Sequence, residues 1–277
     1  MTTALPEDLS IPPEELGRGT SVSVEIVGNM EDVARHFAQA LFDEIAGKAD
    51  VTMVLPVGPV DQFPLLARMI NQARLDCREV AIINMDEYLD GSQWVPIDHP
   101  LSFRGYMDRK FYDLLDSELA PRVENRIFPD PRKLSSVQEL IDARGGLDVC
   151  YGGIGINGHI AFNEPPEPGD TVDTDEFAER PTRVLSLTRE TVTINSNTVG
   201  GELSIIPRRA VTVGMKEILS ASRLRLYCNR PWQSAVIRRV LHGPVTAACP
   251  ASLIRTHPDA SVTVARYVAQ IPDIRLR

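Results

Sequence analysis

The sequence predicts an α/β fold, with a doubly wound, mostly parallel sheet that helices cover on both faces. One observation is that strand-like and helix-like segments alternate along the chain. A second is that several strand-like segments, such as VTMVLPV at 51–57 and EVAIINM at 79–85, are continuous apolar runs. Such runs are typical of strands that are buried on both faces of a sheet, as they are in parallel sheets.

Length and composition indicate a globular protein with a sizeable core. The chain has 277 residues, of which 43% are hydrophobic and 24% charged. Its net charge of -9 disfavours phosphate backbones and anionic lipids, so neither a nucleic-acid nor a membrane partner is expected. No apolar run reaches the roughly 18 residues of a membrane span, and the acidic, proline-rich N-terminus lacks a secretory pattern. We therefore expect a cytoplasmic protein.

The four cysteines are far apart and form no C-x-x-C pair, so the sequence predicts neither a disulfide framework nor a zinc site.

In the N-terminal half, strands and helices alternate after a predicted tail at residues 1–19. Val33, Phe37, Leu41 and Ile45 recur every four residues, as on the buried face of a helix. A capping-box spacing, Ser136 and Glu139, begins a later helix that two glycines close. The predicted strands are 21–27, 51–57, 79–85 and 147–153, and the predicted helices are 33–45, 62–75, 103–115 and 136–144.

The C-terminal half continues the same theme. We predict strands at 183–187, 210–215, 223–228 and 261–265, and a helix at 232–241 just after a proline. The acidic, proline-rich stretch 164–181 is predicted to form a surface excursion or lid. Since it carries no clear linker signature, residues 20–277 are expected to form a single domain.

The chemistry is expected where the parallel strands end, because ligands of such sheets bind beyond the carboxyl ends of the strands. The loop NMDEYLDG at 84–91 places Asp86 and Glu87 directly behind an apolar strand. Acidic residues after a strand are often turn formers or helix caps, and that interpretation stays open for this pair alone.

A second loop, GGIGINGHIAFNEPP at 152–166, is rich in glycine. Gly153, Gly155 and Gly158 match the spacing of a dinucleotide fingerprint after a strand. That fingerprint requires a helix to begin at its end, and Pro165, Pro166 and Pro168 leave no room for one. We therefore reject a nicotinamide or flavin site.

The same loop carries His159 and Glu164 on backbone that glycine makes permissive. An imidazole exchanges protons near neutral pH, and a neighbouring carboxylate can fix its tautomer. An isolated histidine of this kind is more often structural. Here His159, Glu164 and Asp86 fall in neighbouring strand-end loops, which favours an acid/base set.

Several stretches resemble the glucosamine-6-phosphate deaminase (isomerase) family, which is related to 6-phosphogluconolactonases and ribose-5-phosphate isomerases. They are NMDEY at 84–88, HPLSFRGYM at 99–107, GGIGINGHIAFNEP at 152–165, TRVLSLT at 182–188 and AVTVGM at 210–215. The resemblance covers about three quarters of the chain, and NGHIAFNEP also argues against the lactonase branch.

The resemblance implies a Rossmann-like α/β fold, a small-molecule sugar substrate, and no cofactor or catalytic metal; it leaves a homo-oligomer open. His159, supported by Glu164, would open the cyclic amino sugar by proton transfer at the ring oxygen. Asp86 would move a proton from C2 to C1, and the ketose imine would hydrolyse to release ammonia. The glycines at 58, 153, 155 and 158 are expected to bring backbone N–H groups to the substrate.

The sequence departs from the family pattern at Asn157, where the family has an aspartate. An amide carries no charge to stabilise an imidazolium, so His159 is expected to have Glu164 as its one carboxylate partner and to open the ring more slowly. Asn157 is nevertheless kept among the candidate catalytic residues.

A second departure concerns phosphate binding. The loop PVGPVDQ at 56–62 lacks the hydroxyl groups of the family's phosphate loop, and Asp61 adds a negative charge. The family's phosphate-binding arginine and lysine fall at Asn197 and near Gln233. Replacement cations could come from arginines at 104, 208, 209 or 230.

These losses predict an altered substrate, such as an unphosphorylated or differently substituted amino sugar. The alternative is a catalytically weakened sugar-binding or regulatory protein of the same fold.

Overall fold

The computed structural model describes residues 6–58 and 61–273. Its strands, in chain order, are β1 (Ser23–Val27), β2 (Thr52–Leu55), β3 (Ala81–Asn84), β4 (Asp86–Asp90), β5 (Gln93–Trp94), β6 (Arg126–Ile127), β7 (Val149–Gly152), β8 (Arg183–Ser186), β9 (Arg209–Thr212), β10 (Leu224–Cys228) and β11 (Ala260–Ala265). Its α-helices are α1 (Met30–Gly47), α2 (Gln62–Ala73), α3 (Phe103–Lys110), α4 (Ser136–Ala143), α5 (Thr174–Ala178), α6 (Arg189–Asn195), α7 (Met215–Leu219), α8 (Gln233–His242) and α9 (Arg266–Ala269). No described helix is both long and apolar enough to cross a membrane.

The main sheet has seven strands in the order β1-β11-β10-β7-β2-β3-β6, and neighbouring strands pair in parallel. Its central strands are buried because both of their faces are covered. The apolar residues that recur every four positions in α1 form the buried face of that helix. The predicted α/β class, with a mostly parallel sheet and helices around it, is confirmed.

A second sheet of four strands, in the order β5-β4-β9-β8, pairs antiparallel throughout. The prediction that strands 183–187 and 210–215 continue the parallel theme is therefore wrong. Strand β9 owes its apolar character to burial between β4 and β8, whereas β8 lies at the edge of this sheet and is only partly buried. An apolar run does not reveal strand direction. Because β4 follows β3 after Met85 alone, the second sheet stands at the carboxyl edge of the main one.

Other boundaries also differ from the predictions. The helix predicted at 103–115 ends as α3 at Lys110, and a separate short turn follows at Tyr112–Leu114. The stretch predicted as a lid contains the short helix α5, whose Phe177 is fully buried. In the N-terminal segment, Leu16 is buried and the carbonyl of Ile11 accepts a hydrogen bond of 2.8 Å from Arg238 Nε of α8. The four cysteines are free thiols in buried positions.

Candidate active site

A cavity of about 470 Å³ lies at the carboxyl edge of the main sheet. Residues that follow four neighbouring strands line it: Asn229 and Arg230 after β10, Gly153 after β7, Gly58 after β2, and Asp86 after β3. The second sheet contributes a wall, because Asp86 and Tyr88 belong to β4. The cavity therefore lies where ligands of open parallel sheets bind.

Asp86 and Glu87 lie within strand β4, although the sequence placed both in a loop. Successive side chains of a strand point to opposite sides. Asp86 and Tyr88 accordingly line the cavity, whereas Glu87 points away from it and has no exposed surface. The strand thus separates two acidic residues that the sequence put together.

The Asp86 carboxyl is 8% exposed and makes no hydrogen bond to another described side chain. Burial, with a smaller contribution from the charge of Glu87, raises the pKa of Asp86 to about 8. A carboxyl with this pKa exchanges a proton near neutral pH, which an ordinary surface aspartate does not.

Glu87 has a structural role at the beginning of α3. Its carboxylate accepts hydrogen bonds of 3.0 Å from Ser102 Oγ, 3.0 Å from Phe103 N and 2.9 Å from Arg104 N. The Arg104 side chain also contacts it, with Nε 3.2 Å from Oε2. Because Ser102 and Phe103 line the cavity, this clamp holds one of its walls in place.

His159 and Glu164 are in direct contact. The Nδ1 atom of His159 lies 3.1 Å from Glu164 Oε2 and 3.3 Å from the hydroxyl of Thr191. The His159 ring lines the cavity, and its Nε2 atom has no hydrogen-bond partner among the described residues. The carboxylate can therefore hold Nδ1 protonated while Nε2 remains free for a ligand.

Asn157 supports Glu164 more than it supports the imidazole. Its Nδ2 donates to Glu164 Oε2 at 2.7 Å and to Thr188 Oγ1 at 3.1 Å, and its Oδ1 accepts from the backbone N–H of His159 at 3.2 Å. Thr188 Oγ1 also lies 3.2 Å from Glu164 Oε2. The amide thus fixes the carboxylate and the loop without touching the histidine ring.

This environment keeps Glu164 charged. Burial alone would raise its pKa, but the hydrogen bond and charge of His159 act against burial, together with hydrogen bonds from Asn157 and Thr191. The net result lowers the pKa of Glu164 to about 2. The ionised carboxylate beside His159 fixes the orientation of the imidazole through Nδ1.

The four candidate glycines divide into two groups. Gly58, Gly153 and Gly155 line the cavity, whereas Gly158 lies behind it with a positive φ of 93°, and a Cβ there would stand 2.7 Å from Cys249 Sγ. A Cβ on Gly155 would overlap the imidazole ring of His159. Glycine at this position therefore gives the ring the space that it occupies.

An aromatic wall also faces the cavity, and the sequence interpretation missed it. The ring of Tyr88 lies 4.9 Å from that of Phe103 and 5.5 Å from that of Phe162, centroid to centroid. The hydroxyl of Tyr88 accepts a hydrogen bond of 2.9 Å from Asn195 Nδ2. Period-two alternation along NMDEY could have identified Tyr88, but no local signal brings the other three residues to it.

Asn163 was missed as well, although it lies in the most specific motif. It is fully buried, donates to the carbonyls of Ile160 at 3.0 Å and Val213 at 2.9 Å, and accepts from Arg183 at 2.6 Å. These bonds fix the loop that carries His159 against the second sheet.

The residues that were expected to alter phosphate binding lie partly inside and partly outside the cavity. Val57 and Gly58 line the cavity, Asp61 is exposed outside it, and Pro59 and Val60 lie outside the described residues. Asn197 is exposed and does not line the cavity.

Gln233 does line the cavity, but its amide is already engaged, since it donates to Ile154 O at 2.8 Å and accepts from Arg230 N at 2.7 Å. Of the candidate replacement cations, Arg230 alone lines the cavity as described.

Comparison with known structures places this fold in a class. A monomeric glucosamine-6-phosphate deaminase of the NagB superfamily superposes with a TM-score of 0.78 and 25% identity, covering 91% of this chain and 100% of that one. The 6-phosphogluconolactonase from Trypanosoma cruzi shares the fold at a TM-score of 0.64 and 12% identity, covering 90% of this chain and 96% of that one. The protein is therefore an α/β protein of the superfamily fold that these two enzymes share.

Curated sequences narrow the class to a family, although no family model matches the chain. A glucosamine-6-phosphate deaminase of Exiguobacterium sibiricum is 33% identical over 252 residues, which are 89% of this chain and 91% of the relative. Another, from Rhodopirellula baltica, is 30% identical over 92% of this chain and 97% of the relative. The chain belongs to the glucosamine-6-phosphate deaminase family of enzymes, and the resemblance inferred from its motifs is confirmed.

Proposed function

We propose that this enzyme isomerises and deaminates an amino sugar by acid/base catalysis. The observation that carries the proposal is that a desolvated carboxyl, Asp86, and a carboxylate-bound imidazole, His159, line one cavity. The names of its relatives support the reaction type, since they are glucosamine-6-phosphate deaminases.

His159 opens the sugar ring in this proposal. Its Nε2 atom is free in the cavity, while Nδ1 is held by Glu164. Nε2 delivers a proton to the ring oxygen as the bond between C1 and that oxygen breaks, and the C1 hydroxyl releases its proton to solvent to give the aldehyde. The ionised Glu164 stabilises the protonated imidazole before the transfer and fixes the ring's orientation. Asn157 and Thr188 position Glu164 for this task.

Asp86 then moves one proton between neighbouring carbons. As a carboxylate it removes the proton from C2, and the electrons of that C–H bond form a double bond between C1 and C2. The aldehyde oxygen takes up the proton that the ammonium group releases, which gives an enolamine with a C1 hydroxyl. Asp86 then returns its proton to C1 as the nitrogen electrons form the C=N bond at C2. The product is an imine at C2, whose hydrolysis gives the ketose and ammonia. The raised pKa makes the carboxylate basic enough to accept a carbon-bound proton, and the substrate's ammonium group favours its ionised form. Because the side chain is shielded, the captured proton is retained long enough to be returned.

The substrate is expected to differ from the sugar phosphate that the phosphate-binding residues of the family pattern would hold. Neither Asn197 nor Gln233 carries a charge, and Gln233 already uses its amide within the protein. We propose that the substrate is held at the β10 end of the cavity, which Gln233 lines, by groups other than the arginine and lysine of the family pattern.

The test is a substrate panel scored for ammonia and ketose, with glucosamine 6-phosphate, glucosamine and their N-acetyl forms. We expect turnover of at least one free-amine sugar, and loss of that turnover in Asp86→Asn. The matched control is Asp90→Asn, which alters an exposed aspartate at the other end of β4. Sugar-dependent thermal stabilisation with no product from any sugar would instead support the sugar-binding alternative.

A further inference from the structure

A second cavity, of about 500 Å³, lies on one face of the main sheet, between helix α1 and the edge strand β1. Ser23 of β1 pairs in register with Ser261 of β11, which pairs with Arg225 of β10. Arg225 pairs in turn with Tyr151 of β7. Paired residues of neighbouring strands point to the same face, so these four side chains form one row along the floor of the cavity. Among the described residues, Tyr227 is shared by the linings of this cavity and the candidate active site.

Tyr151 carries a hydroxyl group with no partner within the described part of the protein. Its side chain is 1% exposed, its ring lies 5.1 Å from that of Phe37 in α1, centroid to centroid, and its hydroxyl makes no hydrogen bond with another described residue. The hydroxyl is open to the cavity, whereas the unpaired hydroxyl of Tyr112 is sealed within the core. Because buried polar groups are nearly always hydrogen-bonded, an unpaired hydroxyl that faces a cavity indicates that a bound molecule supplies its partner.

This hydroxyl can act as both donor and acceptor. Burial, followed by the charge of Glu44, raises the pKa of Tyr151. The phenol therefore stays protonated, and a neutral phenol donates one hydrogen bond and accepts another.

The carboxylates that line the cavity leave one negative charge without a cationic partner. Asp43 of α1 accepts a hydrogen bond of 2.8 Å from Gln39 Nε2 but makes no ion pair with a described residue. A ligand with an ammonium group is therefore favoured over an anion, because its N–H groups can bond the free oxygen of Asp43. The other three lining carboxylates have partners: Glu25 contacts His36 at 3.1 Å, Glu44 contacts Arg223 at 2.8 Å, and Asp259 contacts Arg225 at 2.7 Å.

The floor of the cavity favours a ligand with several hydroxyl groups. The side-chain hydroxyls of Ser23 and Ser261 make no hydrogen bond with another described residue, and each can donate and accept. The volume of the cavity lies within the range of small-molecule sites, which is roughly 300 to 1,000 Å³.

We propose that this cavity binds a small polyhydroxylated primary amine, whose ammonium group contacts Asp43 and whose hydroxyl groups contact Tyr151, Ser23 and Ser261. The inference does not depend on the proposed reaction, because no residue assigned to proton transfer lines this cavity.

The test is a calorimetric titration at neutral pH with open-chain six-carbon ligands that differ in charge. The ligands are 1-amino-1-deoxyglucitol, which is a cation, glucitol, which is neutral, and gluconate, which is an anion. They are added to the wild type, Asp43→Asn and Tyr151→Phe, and circular dichroism verifies that each variant is folded. Two matched controls are included: Asp50→Asn removes an exposed carboxylate beyond the end of α1, and Tyr112→Phe removes an unpaired hydroxyl that lines neither cavity.

We expect the wild type to bind the amine at least about fivefold more tightly than glucitol, and to bind gluconate more weakly than either. Asp43→Asn should weaken binding of the amine by about fivefold, since Asp43 is exposed, and should leave glucitol binding unchanged. Tyr151→Phe should weaken binding of both the amine and glucitol by roughly three- to tenfold, as for the loss of one neutral hydrogen bond. Both controls should bind all ligands like the wild type.

The contrary results are equally distinct. Equal affinity of the wild type for the amine and glucitol would overturn the assignment of a cationic ligand. Amine binding that is unchanged in either folded variant, Asp43→Asn or Tyr151→Phe, would mean that the amine binds elsewhere, and would overturn the site. If the wild type binds none of the ligands, water alone fills the cavity and the proposal is wrong.

Discussion

The two ends of the cavity differ in how closely they follow the family motif. At the end formed by β3 and β7, Asp86, His159 and Glu164 occupy the positions that the motif predicts, and only Asn157 departs from it. At the end formed by β10, Gln233 is uncharged and already bonded within the protein, while a cation, Arg230, lines the cavity. Because separate strands carry the two ends, the part that anchors a substrate can change while the part proposed for proton transfer stays the same.

The largest effect that would test this contrast is expected at Glu164. Glu164→Gln keeps the shape but removes the charge next to His159 Nδ1, so turnover of a cyclic amino sugar should fall by roughly 10² to 10³. The change is measured as kcat/KM, with Glu167→Gln as a control at an exposed carboxylate three residues further along. If Glu164→Gln stays within threefold of that control, the proposed support for ring opening is wrong.

Glycine at 155 is expected to matter nearly as much, because a Cβ there would overlap the ring of His159. Gly155→Ala should displace the imidazole and lower kcat/KM by about 10². Gly153→Ala provides the comparison, since its Cβ would meet Tyr227 O at an ordinary contact distance of 3.6 Å. Equal activities of the two variants would show that the position of the ring is not set by this contact.

The buried carboxyl of Asp86 should make the protein less stable as the pH rises. Its folded pKa of about 8 exceeds the ordinary aspartate pKa of 3.8, so between these values the folded protein holds a proton that the unfolded chain has released. Stability from this group is fully present below about pH 4 and is lost as the pH rises towards 8. Asp86→Asn should therefore raise the free energy of unfolding at pH 8 by about 1 to 3 kcal/mol, with little change at pH 4.

Urea unfolding at both pH values measures this difference, and Asp90→Asn supplies the control. A destabilised Asp86→Asn variant at pH 8 would mean that the carboxylate is better solvated or better paired than the structure indicates.

The smallest effect is expected at Asn157. Asn157→Asp adds a second carboxylate close to Glu164 and increases the negative charge that faces a protonated His159, so ring opening should accelerate by a few-fold. The variant also loses the amide donor to Glu164 and Thr188, so its melting temperature should fall by a few degrees. Unchanged turnover would show that the amide at position 157 does not slow ring opening.

Much of the fold could be predicted because the relevant signals are local. The apolar runs that became β2 and β3 identified central strands, and the four-residue periodicity of α1 identified its buried face. The second sheet could not be predicted, because an apolar run such as β9 does not show whether its neighbours run parallel or antiparallel. Pairing between β4 and β9 joins residues more than 100 positions apart, and no short pattern encodes it.

In the site, too, local contacts could be predicted from the sequence, whereas contacts between distant segments could not. The contact between His159 and Glu164 follows from their proximity in a single loop. The opposite environments of Asp86 and Glu87 depend on strand alternation that a loop interpretation hides. Asn229 Nδ2 and the Arg230 guanidinium have no hydrogen-bond partner among the described residues, and only the folded structure shows this.

The most direct test of the proposed proton transfer follows the hydrogen on C2. A sugar that the wild type turns over is prepared with deuterium at C2, and the ketose is analysed by mass spectrometry and NMR for deuterium at C1. We predict a primary isotope effect and partial transfer of the label to C1 in the wild type and in Asp90→Asn, and a loss of C2–H cleavage of at least about 10²-fold in Asp86→Asn. Cleavage in a folded Asp86→Asn variant within tenfold of the wild-type rate would contradict the assignment of Asp86 as the base.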